Sequence, residues 1–223
     1  RGPVPGVWVS RPHRPASEIA MIFPIVTVVL ATIYALTYLR GDTSTTRTAL
    51  KTAPIAVLAV GAALVDAPVL LTVALALSAV GDAAISRPGD TAFKAGLGAF
   101  LAAHIAYIPL FWAGVGGAPF FIAAGVMLAY AFIVARWLWP HLGDMRPPVA
   151  VYMVVIAIMG IAALSGNTFV LIGAGLFIAS DTVLAAETFV FKDRVRGWTA
   201  PAIWITYIAA QVLIFIGVLT FGL

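Results

Sequence analysis

Residues 78–111 read SAVGDAAISRPGDTAFKAGLGAFLAAHIAYIPLF. One apolar run ends on Gly81-Asp82, a basic turn through Arg87-Pro88-Gly89 follows, and a second apolar run carries His104 near its middle. Two greasy segments joined by a charged turn read as a pair of membrane helices. The acid and the imidazole then lie inside spans. An ionisable group there costs about 3 kcal/mol or more, so it faces the bundle interior and serves a purpose. The same device returns far along the chain at Ser180-Asp181.

Composition agrees with this reading. Of 223 residues, 62% are hydrophobic and 10% charged, with mean hydropathy +1.06. A soluble domain carries about 25% charge. The chain has too little charge for a water-facing surface, and its apolar runs approach the ~20 residues that cross a bilayer. Cysteine is absent, which excludes a disulfide framework and thiolate-bound metal. The net charge of +4 does not point to nucleic acid, because the basic residues sit between apolar runs and form no patch interleaved with aromatics.

Residues 1–17 are proline-rich without apolar periodicity and read as a disordered N-terminal arm. They lack the apolar core and cleavage pattern of a signal peptide. Residues 18–223 form the expected transmembrane domain, an all-α bundle of eight helices: Ile19–Leu39, Thr52–Val65, Pro68–Ser86, Thr91–Ala113, Pro119–Trp139, Pro147–Leu164, Thr168–Glu187 and Ala200–Leu223. Helices are required because lipid offers the backbone no hydrogen-bond partner. Asp66-Ala67-Pro68 separates the second run from the third. Gly116-Gly117 and Ser165-Gly166-Asn167 read as tight turns.

The loop charges set the orientation. The odd-numbered loops hold Arg40, Arg47 and Lys51; Arg87 and Lys94; Arg136 and Arg146; Lys192, Arg194 and Arg196. The even loops hold no Lys or Arg. Positive residues stay on the cytoplasmic side. The expectation is a multi-pass protein of a bacterial cell membrane with both termini outside.

Counting about 1.5 Å per residue, Asp82 lies ~6 Å inside the cytoplasmic end of its helix, Asp181 ~9 Å and His104 ~18 Å. Gln211 reaches a similar depth to His104, with Tyr207 one turn shallower. On the fourth helix Phe93, Leu97, Phe100, His104, Tyr107 and Phe111 recur at three and four residues and share a face. That stripe suits an alkyl-chain pocket with a polar head. It equally suits plain helix packing, with the imidazole bonded to backbone. For the two aspartates the bland reading is a polar clasp between helices. Gly81-Asp82-x-x-Ile85 and Ser180-Asp181-x-x-Leu184 stand four helices apart on helices of the same direction, which points to two parallel four-helix repeats.

Gly81-Asp82, Phe100-x-x-x-His104-x-x-Tyr107, Ser180-Asp181-x-x-Leu184-Ala185 with Phe189, and Tyr207-x-x-x-Gln211 together resemble the YhhN-like, lysoplasmalogenase family of membrane proteins. The resemblance covers roughly Lys51 to Phe221. One departure is Lys51-Thr-Ala-Pro54, where the family's lysine lies nearer its proline, so no role passes to Lys51. The resemblance implies hydrolysis of the vinyl ether bond of lysoplasmalogens, releasing a fatty aldehyde and a glycerophospho-base, with no cofactor and no metal. The partners are then a lysophospholipid substrate and membrane lipids; nothing fixes the oligomeric state. Asp82, Asp181 and His104 become the catalytic residues, and Tyr107, Tyr207, Gln211, Ser180 and Phe100 bind substrate. Two carboxyls divide acid and base work in glycoside hydrolysis, which also passes through an oxocarbenium-like state; which aspartate plays which part stays open. Arg87, Lys94, Lys192, Arg194 and Arg196 could attract the phosphate, or could simply obey the positive-inside rule.

Two other readings compete. A metal-dependent intramembrane lipid hydrolase would use Asp82, His104 and Asp181 as ligands, a thin set for catalytic zinc. A small proton-coupled transporter would explain paired acids and repeats, but no matching pair of Gly/Pro-broken helices is present.

Overall fold

The computed structural model describes residues 14–114, 116–192 and 197–221. Among these residues there are eight α-helices and no strand: α1 Arg14–Thr37, α2 Thr45–Leu64, α3 Val69–Ile85, α4 Asp90–Phe111, α5 Ala118–Leu138, α6 Arg146–Ala163, α7 Thr168–Ala185 and α8 Thr199–Phe221. Two 3-10 turns join α5 to α6, and a π-helical turn, Ala186–Phe191, prolongs α7. Seven of the described helices are long and apolar enough to cross a membrane. The remaining one, α3, has 17 residues, close to the lower limit of about 17 for a span. The eight-helix membrane bundle expected from the sequence is the architecture found.

The breaks have local causes. Asp66 adopts φ 52°, and Pro68 follows it at the N-cap of α3, so α2 and α3 cannot fuse. Asn167 caps α7 by accepting from Phe169 N and Val170 N, each at 3.1 Å. Its amide nitrogen also donates to Gly217 O of α8 at 3.0 Å.

Two boundaries differ from expectation. Helix α2 begins at Thr45, seven residues before Thr52. Ser44 Oγ accepts from Arg47 N at 3.1 Å and satisfies one of the helix's orphan donors. The first turns are polar and hide the helix from an apolar count. Arg47 and Lys51 therefore belong to α2 and not to a loop. Helix α1 begins at Arg14, inside the arm expected to be disordered; Pro15 is tolerated in a first turn, where its missing N–H is no loss. Residues 1–13 of that arm, and Arg194 and Arg196, lie outside the described residues.

The helices pack α1 on α2, α2 on α3, α3 on α4, α4 on α6, α6 on α7 and α7 on α8, and α8 returns against α1, α2 and α3. Helix α5 stands outside this ring against α6 and the π-turn. Trp204 Nε1 ties α8 to Ala31 O of α1 at 3.0 Å. The paired hairpins α3–α4 and α7–α8 both depend on glycine. A Cβ at Gly81 would come within 2.7 Å of the Phe100 ring, and one at Gly173 within 3.0 Å of Ala210 O. Gly81 thus admits the Phe100 ring against α3, and Gly173 admits the backbone of α8 against α7.

Candidate active site

Asp82 projects from the last turn of α3 and is buried. Tyr207 Oη, from α8, donates to its Oδ2 at 2.7 Å. Lys51 Nζ, from α2, lies 3.8 Å from its Oδ1. Asp181 projects from the last turn of α7 and is 16% exposed at its side chain. Tyr152 Oη, from α6, donates to its Oδ2 at 2.5 Å, and His104 Nε2 of α4 stands 3.8 Å from the same oxygen.

The histidine's protonation pattern follows from its other nitrogen. Nδ1 lies 2.6 Å from Phe100 O. A carbonyl oxygen can only accept, so Nδ1 carries a hydrogen and donates. In the neutral ring Nε2 then offers a lone pair. That atom is fully buried and makes no hydrogen bond. The bland reading, an imidazole bonded to backbone, accounts for one nitrogen only; the other is aimed at Asp181.

Between the two acids lies an aromatic partition. The Phe177 ring sits 4.7 Å from His104 and 5.4 Å from Tyr207. Phe100 meets Tyr207 edge-on at 5.9 Å and Phe177 at 6.4 Å. Among the described residues no hydrogen bond joins the two carboxyls. The pairing is crossed: α3's acid is served from α2 and α8, and α7's acid from α4 and α6.

A cleft of about 770 Å³, its open mouth included, runs among α4, α5, α6 and α7. Phe93, Leu97 and Phe100 form one wall, Met127, Tyr130 and Ala131 of α5 another. Asp181 and Tyr152 line it too, and Asp181 is the one charged group among its lining residues. Asp82 and His104 lie behind that wall.

The other expected residues fall as follows. Phe100 lines the cleft. Tyr107 Oη donates to Gln211 Oε1 at 2.7 Å, and both side chains are buried away from the cleft. Tyr207 reaches Asp82. Ser180 Oγ donates to Ile203 O at 3.0 Å and fastens α7 to α8. Sequence reasoning missed Tyr152 and Phe177 and set Lys51 aside. Among the described residues no group of three or more His, Cys, Asp or Glu side chains could hold a metal ion, so the ligand set that the metal-dependent reading needs is not assembled.

The arrangement can store a proton between Asp181 and His104 in the lining of an apolar cleft, with a second carboxyl close behind. The profile of the YhhN family matches residues 46–218. The chain is 35% identical over 157 residues to a protein named lysoplasmalogenase from Mycobacterium tuberculosis (strain CDC 1551 / Oshkosh), covering 66% of this chain and 59% of that one. It is 36% identical over 157 residues to lysoplasmalogenase TMEM86B of Homo sapiens, covering 67% and 63% respectively. The match thus spans about three fifths of each relative. No solved structure matches the chain.

Proposed function

Since the chain belongs to the YhhN family, we propose that it is a membrane hydrolase that cleaves the vinyl ether bond of lysoplasmalogens. The observation that carries this reading is a lone acid, Asp181, in the lining of an apolar cleft and beside a histidine with a free lone pair. The alkenyl chain lies along Phe93, Leu97 and Phe100, and its first double bond meets Asp181.

The chemistry asks for what the site holds. A proton passes from the site to the β-carbon of the vinyl ether, and the α-carbon becomes an oxocarbenium ion. Water adds to that carbon and gives a proton back to the site. The resulting hemiacetal breaks its C–O bond, leaving a fatty aldehyde and a glycerophospho-base with a free hydroxyl. One proton leaves the site and one returns, so the enzyme is regenerated. Asp82, Asp181 and His104 are the catalytic residues in this scheme. Tyr207 and Tyr152 hold the two carboxyls in place, and Tyr107 and Gln211 support Tyr207 from deeper in the bundle. The basic residues of the odd-numbered connections support a site in the cytoplasmic half of a bacterial cell membrane, with both termini outside.

The test is aldehyde release from a lysoplasmalogen by purified protein, followed by mass spectrometry against a panel of other lysolipids. Asp82→Asn and Asp181→Asn should each lower turnover by at least ~100-fold while the protein still elutes as wild type does. Activity within a few-fold of wild type in either variant would remove the carboxylate mechanism.

A further inference from the structure

We infer that Lys51 is a positioning residue of this site: its ammonium keeps Asp82 as the standing anion, and the Asp181–His104 pair is therefore the group that hands over the proton. The inference deepens the vinyl ether reading and rests on it.

The two acids have different partners. Asp82 accepts from Tyr207 Oη at Oδ2, 2.7 Å, and has the Lys51 ammonium at ion-pair distance from Oδ1, 3.8 Å. A carboxylate is an acceptor only, so the ionised form suits both contacts and neither of them asks for a proton on Asp82. Lys51 is itself withdrawn from solvent, with 17% of its side chain exposed. A cation so placed within a span needs a counter-charge. Arg47, one turn away on α2, cannot replace it, because its guanidinium is turned to Tyr38 O and Ser86 O at 3.2 and 3.4 Å.

Asp181 has a mixed environment. Tyr152 donates to it, but His104 Nε2 faces it with a lone pair, since Nδ1 is committed to Phe100 O. A proton there has two homes, carboxyl and imidazole. Asp181 alone of the two acids reaches the cleft. The proton therefore goes from Asp181 to the β-carbon, and His104 takes part in returning the proton shed by the attacking water. The Asp82 carboxylate, behind Phe100 and Phe177, opposes the positive charge that forms on the α-carbon. Lys51 touches neither substrate nor water; it acts through Asp82.

A double-mutant cycle tests the pair without substrate. Removing one partner of a buried ion pair strands the other's charge, whereas removing both does not. In detergent, Lys51→Met and Asp82→Asn should each lower the melting temperature by about 10 °C. The double variant should return to within about 3 °C of wild type. Losses that simply add in the double variant overturn the pairing. For turnover, Lys51→Met should cut kcat by about 100-fold with KM unchanged, and Lys51→Arg should recover most of it. An unaltered kcat in Lys51→Met, or no recovery in Lys51→Arg, overturns the positioning role. If Lys51→Met does not fold alone, the double variant and Lys51→Arg still decide. Absence of aldehyde release by the unmodified protein would strike the function and the proton assignment together, and the melting cycle would then judge the Lys51–Asp82 pair by itself.

Discussion

Tyr152 does two jobs from one position on α6. Its ring meets His104 edge-on at 5.3 Å, and its hydroxyl donates to Asp181 at 2.5 Å. The substitution Tyr152→Phe keeps the ring and removes the donor. Losing the partner of a buried polar group costs roughly 1–3 kcal/mol, so kcat should fall by about 10-fold with little change in KM. Aldehyde release across a substrate series checks this, and full turnover in Tyr152→Phe would mean that Asp181 is oriented by packing alone. The contrast with Asp82, His104 and Asp181 explains what a sequence reveals. Those three stand out because a chargeable side chain within a span is costly enough to need a reason. Tyr152 does not, since a tyrosine is mostly ring and sits in apolar cores without comment. Lys51 was hidden differently. It lies beyond a threonine-rich first turn, so a count of apolar residues left it outside the helix that aims it at Asp82.

At the scale of elements, α5 is the exception. It is absent from the closed ring, packs on α6, and presents Phe121, Ile122, Val126, Phe132 and Ile133 outward. In a bilayer that face meets lipid tails. Its inner face supplies one wall of the cleft, and Tyr130 Oη is 2.8 Å from Thr182 Oγ1 of α7 across it. A helix held on few sides is the wall most easily displaced, which suits entry of a chain from the membrane. Small residues leave the chain its room, and Ala131 of α5 and Ala185 of α7 are two of them. Ala131→Trp or Ala185→Trp should raise KM for long-chain lysoplasmalogens by about 10-fold or more and leave a short, soluble vinyl ether almost unaffected. Equal loss on both substrates would place the chain elsewhere. Periodicity gave the eight elements and the shared face of α4, because apolar stripes and spans are the strongest signals a membrane chain carries. It could not show that α4 touches α6 while α5 is left outside, since neighbours in sequence are the default expectation.

For the whole molecule, the two acids and the side chains that hold them lie towards one side, with His104 deeper on α4. Asp82 and Asp181 sit near the ends of α3 and α7, while Lys51, Tyr152 and Tyr207 sit within a few turns of the starts of α2, α6 and α8. Those ends and starts all adjoin odd-numbered connections, at or near which ten of the 13 Lys and Arg lie, the other three, Arg1, Arg11 and Arg14, being at the N-terminus. The even connections are short; 65–68 and 164–167 are four residues each, and none carries a basic residue. If the positive-inside rule orients the chain, it orients the proposed site with it. The absence of cysteine makes the claim easy to examine with single-cysteine probes at exposed positions. In intact cells Thr43→Cys, in the first connection, should resist a membrane-impermeant maleimide until the membrane is opened. Ala118→Cys, at the fourth, should react at once. The reverse pattern would turn the bundle over and put the site in the outer half of the membrane. The lysolipid would then have to be drawn from the other leaflet, although every contact around Asp82 and Asp181 stayed as it is. Labelling at both positions from outside would be harder to accommodate, because three helices, α2, α3 and α4, lie between the first and fourth connections, and three crossings put them on opposite sides.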